Sequence, residues 1–170
     1  MLKTEVAYNN DENMVKDIIS IKGTSFPSGW EYSDAQEYYS EMLKHMNNVN
    51  IFLKNDEKRI GYLLAIPHNN AVIELRNDDP LMRKDASRYY LETVAILPEY
   101  RKKNGFSSLL KTLKQELEKR GVHNISLHAR VANDFSLIIQ KKLKITHVRR
   151  IVRWKYCNYE EPVDYIEAAI

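Results

Sequence analysis

The chain has 170 residues, 44% hydrophobic and 29% charged, with a net charge of +3. That composition excludes wholesale disorder and lets one domain over 1–170 bury about 70% of its unfolded surface. No apolar run approaches the roughly 18 residues that cross a bilayer, and the start MLKTEVAYNNDEN lacks the apolar core of a secretion signal, so a cytoplasmic protein with no membrane partner is expected. Cys157 is the sole cysteine, which excludes an intrachain disulfide and a cysteine metal cluster. Most basic residues are interleaved with acidic ones, so nucleic acid is not an expected partner.

Residues 2–8 (LKTEVAY) read as a first strand, ending at the turn-prone Asn9, Asn10 and Asp11. Met14, Val15, Ile18 and Ile19 recur at helical spacing and predict a helix over about 11–22, broken by GTSFPSGW. There Gly23, Pro27 and Gly29 with Phe26 and Trp30 form either a hydrophobic plug or the wall of a ligand pocket. Ser33 can cap a second helix over about 34–47, with Tyr38, Met42, His45 and Met46 on one side. VNIFLK and RIGYLLAI are two strands around the hairpin turn NDEK, and Gly61 inside the second suggests a bulge or the close approach of another backbone. Residues 67–87 are the least regular. Within them 71–75 are a short helix or strand, while Glu74, Asp78 and Asp79 read as a solvated loop, with a cation-recognising lip as the sharper alternative.

The run YYLETVAIL is a strand that Pro98 stops. A short basic turn follows, and then Phe106, Leu109, Leu110, Leu113 and Leu117 form one stripe of an amphipathic helix. Asn104 can cap its start and Gly121 its end. Arg101, Lys102, Lys103, Asn104 and Gly105 thus sit where helix amides lack intrahelical partners and the helix dipole is positive, an arrangement suited to a pyrophosphate. Next come a strand (HNISLHAR), a helix opened by Asn133 or Asp134 and holding Phe135, Ile138, Ile139 and Leu143, and a strand over about 145–156 with one exposed face. The tail EEPVDYIEAAI reads as a closing strand or a loose end.

This order, with VAILPEYRKKNGFSSLL at its centre, resembles the GNAT superfamily of acyl-CoA-dependent N-acetyltransferases. The family signature after the central strand is Arg or Gln, two residues, Gly, one residue, then Gly or Ala. Here Pro98, Tyr100, Arg101, Leu109 and Leu110 match, while Asn104 and Phe106 stand at the two glycine positions; shifted by one, Lys102, Gly105 and Ser107 give a looser match. The resemblance implies an α+β three-layer fold with a mixed, mostly antiparallel central sheet and helices on both faces. It also implies acetyl-CoA as co-substrate without a metal, and an amine acceptor on an unidentified small molecule, peptide or protein. On that footing Val94, Ala95 and Ile96 offer backbone groups to the pantetheine arm. Arg101, Lys102, Lys103, Asn104, Gly105, Phe106 and Ser107 hold the phosphates, and Asn133 matches the asparagine that contacts the cofactor. Gln140 stands where many members have the tyrosine that protonates the leaving thiolate, and a glutamine is no general acid. A monomer or homodimer is expected, with a catalytically degenerate acyl-CoA-binding or regulatory protein as the alternative.

Glu92 is the candidate base. A carboxylate in an otherwise apolar strand is costly unless partnered or employed, and LETVAILPEYR has the spacing of the LED segment of spermidine/spermine acetyltransferases; the plain alternative is a carboxylate on the strand's solvated face. Tyr89, Tyr90, His128 and Tyr156 are all candidates for the acid, as is water. The five histidines show no HExxH spacing, so no metal is expected, and no G-x-S-x-G elbow or P-loop is present.

Overall fold

The β-branched and aromatic runs pair into a seven-stranded sheet in the order β1-β2-β3-β4-β5-β7-β6. The strands are β1 (Leu2–Ala7), β2 (Val49–Asn55), β3 (Lys58–Pro67), β4 (Arg88–Ile96), β5 (Asn124–Arg130), β6 (Lys144–Tyr156) and β7 (Tyr159–Ala169). The helices are α1 (Glu12–Ser25), α2 (Ala35–Lys44), α3 (His68–Glu74), α4 (Gly105–Glu118) and α5 (Phe135–Lys142), with a 3-10 turn over Pro98–Tyr100. The computed structural model describes residues 1–9, 11–28, 33–156 and 159–170. Readings placed on Asn10, Gly29, Trp30 and Cys157, and on the side chain of Tyr156, lie outside them. Of the five strand pairs whose register is described, four are antiparallel and β4–β5 is parallel, so the sheet is the mixed, mostly antiparallel one expected. Two compact units divide the chain: Met1–Ala65 with Thr93–Glu116, and Ile66–Glu92 with Leu117–Ile170.

In the first unit, α1 runs three residues beyond the expected 11–22, through Gly23, Thr24 and Ser25. Thr24 turns its hydroxyl back to the Ser20 carbonyl (3.0 Å), and the helix ends where Pro27 forces the residue before it out of the α region, leaving Phe26 extended at φ −108 and ψ 157. Helix α2 stops at Lys44, short of the expected 47, and buries Tyr39, Met42 and Leu43. Met46 is 86% exposed, so the apolar face lies one residue away from the one inferred from spacing. The β2–β3 hairpin turns through a left-handed Asp56. Its register slips between Leu53 and Lys54, so Leu53 faces Gly61 and Lys54 faces Arg59. Gly61 marks both features expected of it: it lies at this bulge, and a Cβ there would stand 2.8 Å from the Ala95 carbonyl oxygen and 3.0 Å from Ile96 Cγ1. Helix α4 buries Leu109, Leu110 and Leu113 as its spacing predicts.

In the second unit, Gly121 ends α4 at φ 69. Val122 N–H donates to the Leu117 carbonyl (3.0 Å) and Gly121 N–H to that of Glu118 (3.0 Å), the two bonds of a Schellman cap. Strand β5 is buried on both faces, Ser126 as fully as Ile125, Leu127 and Ala129. The tail is no loose end. As β7 it lies between β5 and β6, antiparallel to both, because Val163, Tyr165, Ile166 and Ala168 have apolar surface to bury. In α5, Ser136 and Ile139 are buried while Ile138, expected inside, is 40% exposed.

Two glycines give opposite expectations. Gly61→Ala drives a methyl into the Ala95 carbonyl and should destabilise by about 1–3 kcal/mol. Gly23→Ala, in helix α1 with nothing within 4 Å of the added carbon, should stabilise by about 0.5–1 kcal/mol. Urea unfolding of the two variants against the parent reads the sign directly.

Candidate active site

In the first unit the end of β4, the basic turn and the start of α4 form one connected piece. Arg101 is exposed, but its Nε donates to the Ile96 carbonyl (2.9 Å) and its Nη2 to that of Ser25 (3.3 Å); Ser25 Oγ also donates to Ile96 O (3.4 Å). The guanidinium therefore ties the turn to the strand it leaves. Lys102 and Lys103 are exposed as well, and the Lys103 ammonium lies 5.2 Å from the Tyr100 ring centroid. Lys102 and Asn104 are both left-handed, at φ 60 and 61. Asn104 thus stands in a conformation that glycine adopts freely and asparagine more readily than most other residues. Its carbonyl accepts the first rung of the α4 ladder from Ser108 N–H (3.1 Å) and also the Ser108 hydroxyl (3.3 Å). The Gly105 amide therefore lies ahead of the ladder.

Gly105 is buried, and a Cβ there would come within 2.6 Å of Leu53 Cδ2 and 3.3 Å of Ile96 Cδ1. The position with no space for a side chain is therefore 105, one before the second glycine of the signature, and the half-buried Phe106 is accommodated where it stands. Ser107 is half-buried beside it. Exposed lysines, two left-handed residues and a helix start seated tightly on the sheet fit an anionic diphosphate. On β4, Ala95 is buried and Val94 and Ile96 are half-buried.

In the second unit, Glu92 is half-buried on β4. Tyr90, two residues earlier on the same face, places its hydroxyl 2.8 Å from His128 Nδ1. His128 Nε2 lies 2.9 Å from Asp79 Oδ2, and Arg149 Nη2 donates to the same oxygen at 2.6 Å. The imidazole stacks on Trp154 with ring centroids 4.2 Å apart. Asp79 is 2% exposed, which corrects the solvated-loop reading. Its carboxylate also receives Leu81 N–H (3.2 Å). Burial opposes its ionisation, but the bonds from His128 and Arg149 prevail and hold its pKa down at about 2. Burial lowers the pKa of His128, against the pull of Asp79. His68 is a second buried histidine of this unit, set between Ser126 Oγ (2.7 Å) and the Arg83 carbonyl (2.9 Å).

Of the other candidate acids, Tyr89 receives Arg120 Nη1 at 3.1 Å, a bond that ties β4 to the end of α4. Asn133 is exposed, and its side-chain oxygen accepts the Phe135 amide (3.1 Å) in an Asx turn ahead of α5, whose N-cap is Asp134. Gln140 Nε2 donates to Ser136 Oγ (2.9 Å), which donates to Asp164 Oδ2 (2.5 Å), and Arg150 pairs with the same carboxylate. Sequence reasoning named Asp79 only as part of a solvated loop or cation-recognising lip and did not single out Arg149. The signal available was one Asp of the polar turn NDDP and an Arg in a basic strand, neither distinctive until the fold brings them together.

The family model described as Acetyltransferase (GNAT) family matches residues 15–138. The chain belongs to the GNAT acetyltransferase family. Among solved structures this GNAT chain is similar to PaiA N-acetyltransferase from Thermoplasma acidophilum in complex with coenzyme A, at 14% identity over 99% of each chain with TM-score 0.64. It is similar to an aminoglycoside 6'-N-acetyltransferase complexed with coenzyme A, at 14% identity over 100% of this chain and 97% of that one, TM-score 0.68. A chimeric spermidine N-acetyltransferase from Vibrio cholerae gives 14% identity over 99% of this chain and 95% of that one, TM-score 0.69. No curated protein sequence matches the chain. Among the described residues no helix is long and apolar enough to cross a membrane.

The Asp79 cluster makes stability acid-sensitive in a definite window. A carboxyl whose folded pKa is depressed to about 2 from 3.8 stabilises the fold fully above the unfolded value and loses that stabilisation as pH falls through the folded one. The loss, about 2 kcal/mol, should fall between about pH 4 and 2. The lowered pKa of His128 works from higher pH, since the unfolded chain gains its proton first as pH drops below 6.5. Urea midpoints measured down the acid range should fall in both stretches, and Asp79→Asn should flatten the lower one.

Proposed function

We propose that this GNAT protein transfers an acetyl group from acetyl-CoA to a primary amine of a small molecule, peptide or protein, by direct attack in a ternary complex. The observation that carries the reading is the start of α4: in a chain of this family, amides ahead of the ladder, left-handed Lys102 and Asn104, and a side-chain-free Gly105 pressed against Leu53 and Ile96. Residues 103–107 offer backbone amides to the phosphates, and Lys102 and Lys103 offer mobile charge. Arg101 serves chiefly by holding the turn to Ile96 and Ser25. Val94 and Ala95 offer backbone groups to the pantetheine arm. Ile96 can offer its amide but not an unencumbered carbonyl, since Arg101 and Ser25 both donate to it. Asn133 has its side-chain oxygen on the Phe135 amide, leaving the amide nitrogen as its group for the co-substrate. Glu92 takes the proton that an ammonium must lose before it can attack. Solved structures similar to the chain carry the names of spermidine and aminoglycoside acetyltransferases, which makes cationic amines the first acceptors to try. We read the protein as cytoplasmic, one domain over 1–170.

A second reading, acyl-CoA binding without turnover, is favoured by Gln140. Its amide is committed to Ser136 at the place where many family members carry the acid.

Calorimetry with acetyl-CoA, with dephospho-CoA as control, should give saturable heat that weakens when the 3′-phosphate is absent and when Lys102 and Lys103 are replaced by alanine. Thiol release across polyamines, aminoglycosides and peptide amino termini then separates the readings: turnover that Glu92→Gln lowers about 100-fold with unchanged acetyl-CoA affinity supports transfer. Tight binding with no thiol release supports the second reading.

A further inference from the structure

The line Tyr90, His128, Asp79 has so far been given no task. An ionised carboxylate only accepts hydrogen bonds, so His128 Nε2 carries the hydrogen it gives to Asp79. With the ring neutral, Nδ1 is an acceptor, and the Tyr90 hydroxyl donates to it. Carboxylate, imidazole and hydroxyl in this order are the arrangement that prepares a hydroxyl to hand its proton on. The His128 and Asp79 side chains are 3% and 1% exposed, so solvent does not compete for these bonds.

Strand register says what the line serves. Tyr90 pairs with Ser126 in the parallel β4–β5 ladder. That is the last pair of the ladder; Glu92 lies two residues past Tyr90, and His128 two past Ser126, so both follow it on the face that Tyr90 shares. Because the Tyr90 hydroxyl ends at His128, it extends beyond that last pair, in the direction in which β4 runs on to Glu92.

We propose that Tyr90, His128 and Asp79 form a proton relay that returns Glu92 to its ionised state during acetyl transfer. The proposal rests on the acetyl-transfer reading with Glu92 as base. An ammonium acceptor gives one proton to the Glu92 carboxylate. Glu92 passes it to the Tyr90 oxygen as the hydroxyl hydrogen moves to His128 Nδ1, leaving carboxylate, phenol and an imidazolium held by Asp79. The amine then bonds to the acetyl carbon, the carbon–sulfur bond breaks, the second nitrogen proton goes to the thiolate, and the imidazolium returns its proton through Tyr90 to the half-buried Glu92, which releases it to solvent once the product has left. Tyr90 and His128 are the proton-transfer groups here, and Asp79 is a positioning residue acting through His128. The groups that face His128 set its balance: Asp79 and Asp78 from the segment before β4 favour the imidazolium, Arg149 of β6 opposes it, Trp154 of β6 and Tyr165 of β7 enclose the ring, and Tyr90 approaches from β4.

The test follows acetyl-CoA thiol release against pH, with an accepted amine, for the full-length protein, Tyr90→Phe and Asp79→Asn; thermal midpoints and acetyl-CoA calorimetry report fold and binding. The parent should lose activity in acid with a midpoint below 6.5, as the relay fills. Tyr90→Phe should lower kcat by about tenfold or more with KM for acetyl-CoA within about twofold, and should abolish that acid limb. Asp79→Asn should move the midpoint further down, since the imidazolium loses its carboxylate, and it decides the matter if Tyr90→Phe does not fold. An active parent whose kcat and acid midpoint survive both substitutions overturns the relay alone. A parent that binds acetyl-CoA but releases no thiol with any amine overturns the transfer reading, and the relay's role with it.

Discussion

Where α4 begins there is no space for a side chain: a Cβ on Gly105 would meet Leu53 and Ile96 at 2.6 and 3.3 Å. That close seating on β2 and β4 fixes the helix axis, and with it the direction in which the leading amides emerge. The family's glycine-rich signature packs several demands into one short string, and this chain meets them separately. Position 104 needs a left-handed backbone, which asparagine supplies at φ 61. Position 105 needs the space, and glycine is there. Position 106 makes no such demand here, and phenylalanine sits half-buried. The departures from the signature are thus redistributions of one set of constraints.

The turn that presents those amides is held by its own side chain. Arg101 reaches back to the Ile96 and Ser25 carbonyls, and Leu97 N–H bonds the Ile60 carbonyl at 2.9 Å. The β3 bulge at Gly61 presses on Ala95 and Ile96 from the other strand. One cation of the three is therefore committed to backbone order, while Lys102 and Lys103 stay exposed, the latter over the Tyr100 ring.

Much of this was legible in the sequence because it is local. The leucine stripe of α4, its Gly121 cap, the 49–66 hairpin and the meaning of Gly61 each rest on spacing within a few residues. The face of α2, the placement of β7 and the burial of Asp79 were not legible, and for one reason. Each is decided by a partner far along the chain. Asp79 looks like any turn aspartate until His128 and Arg149 meet it, 49 and 70 residues away. Trp154 and Tyr90 then enclose the same imidazole from β6 and β4. The local pattern at the start of α4 could be read directly, whereas the polar interior of the second unit could only be seen assembled.

That interior holds three buried carboxylates, Asp79, Glu161 and Asp164; Arg130 of β5 clamps Glu161, and two consecutive arginines of β6 clamp the other two. Arg149 and Arg150 point to opposite faces of the strand, so the two clusters lie on opposite sides of it. Their chemistry differs. The Asp164 line runs through the Ser136 hydroxyl to the Gln140 amide, groups that do not exchange protons in a useful pH range. The Asp79 line runs through an imidazole to a phenol, both of which do. Gln140, tied through Ser136 to Asp164, is part of a structural brace. The His128 line is thus the one of the two that can carry a proton.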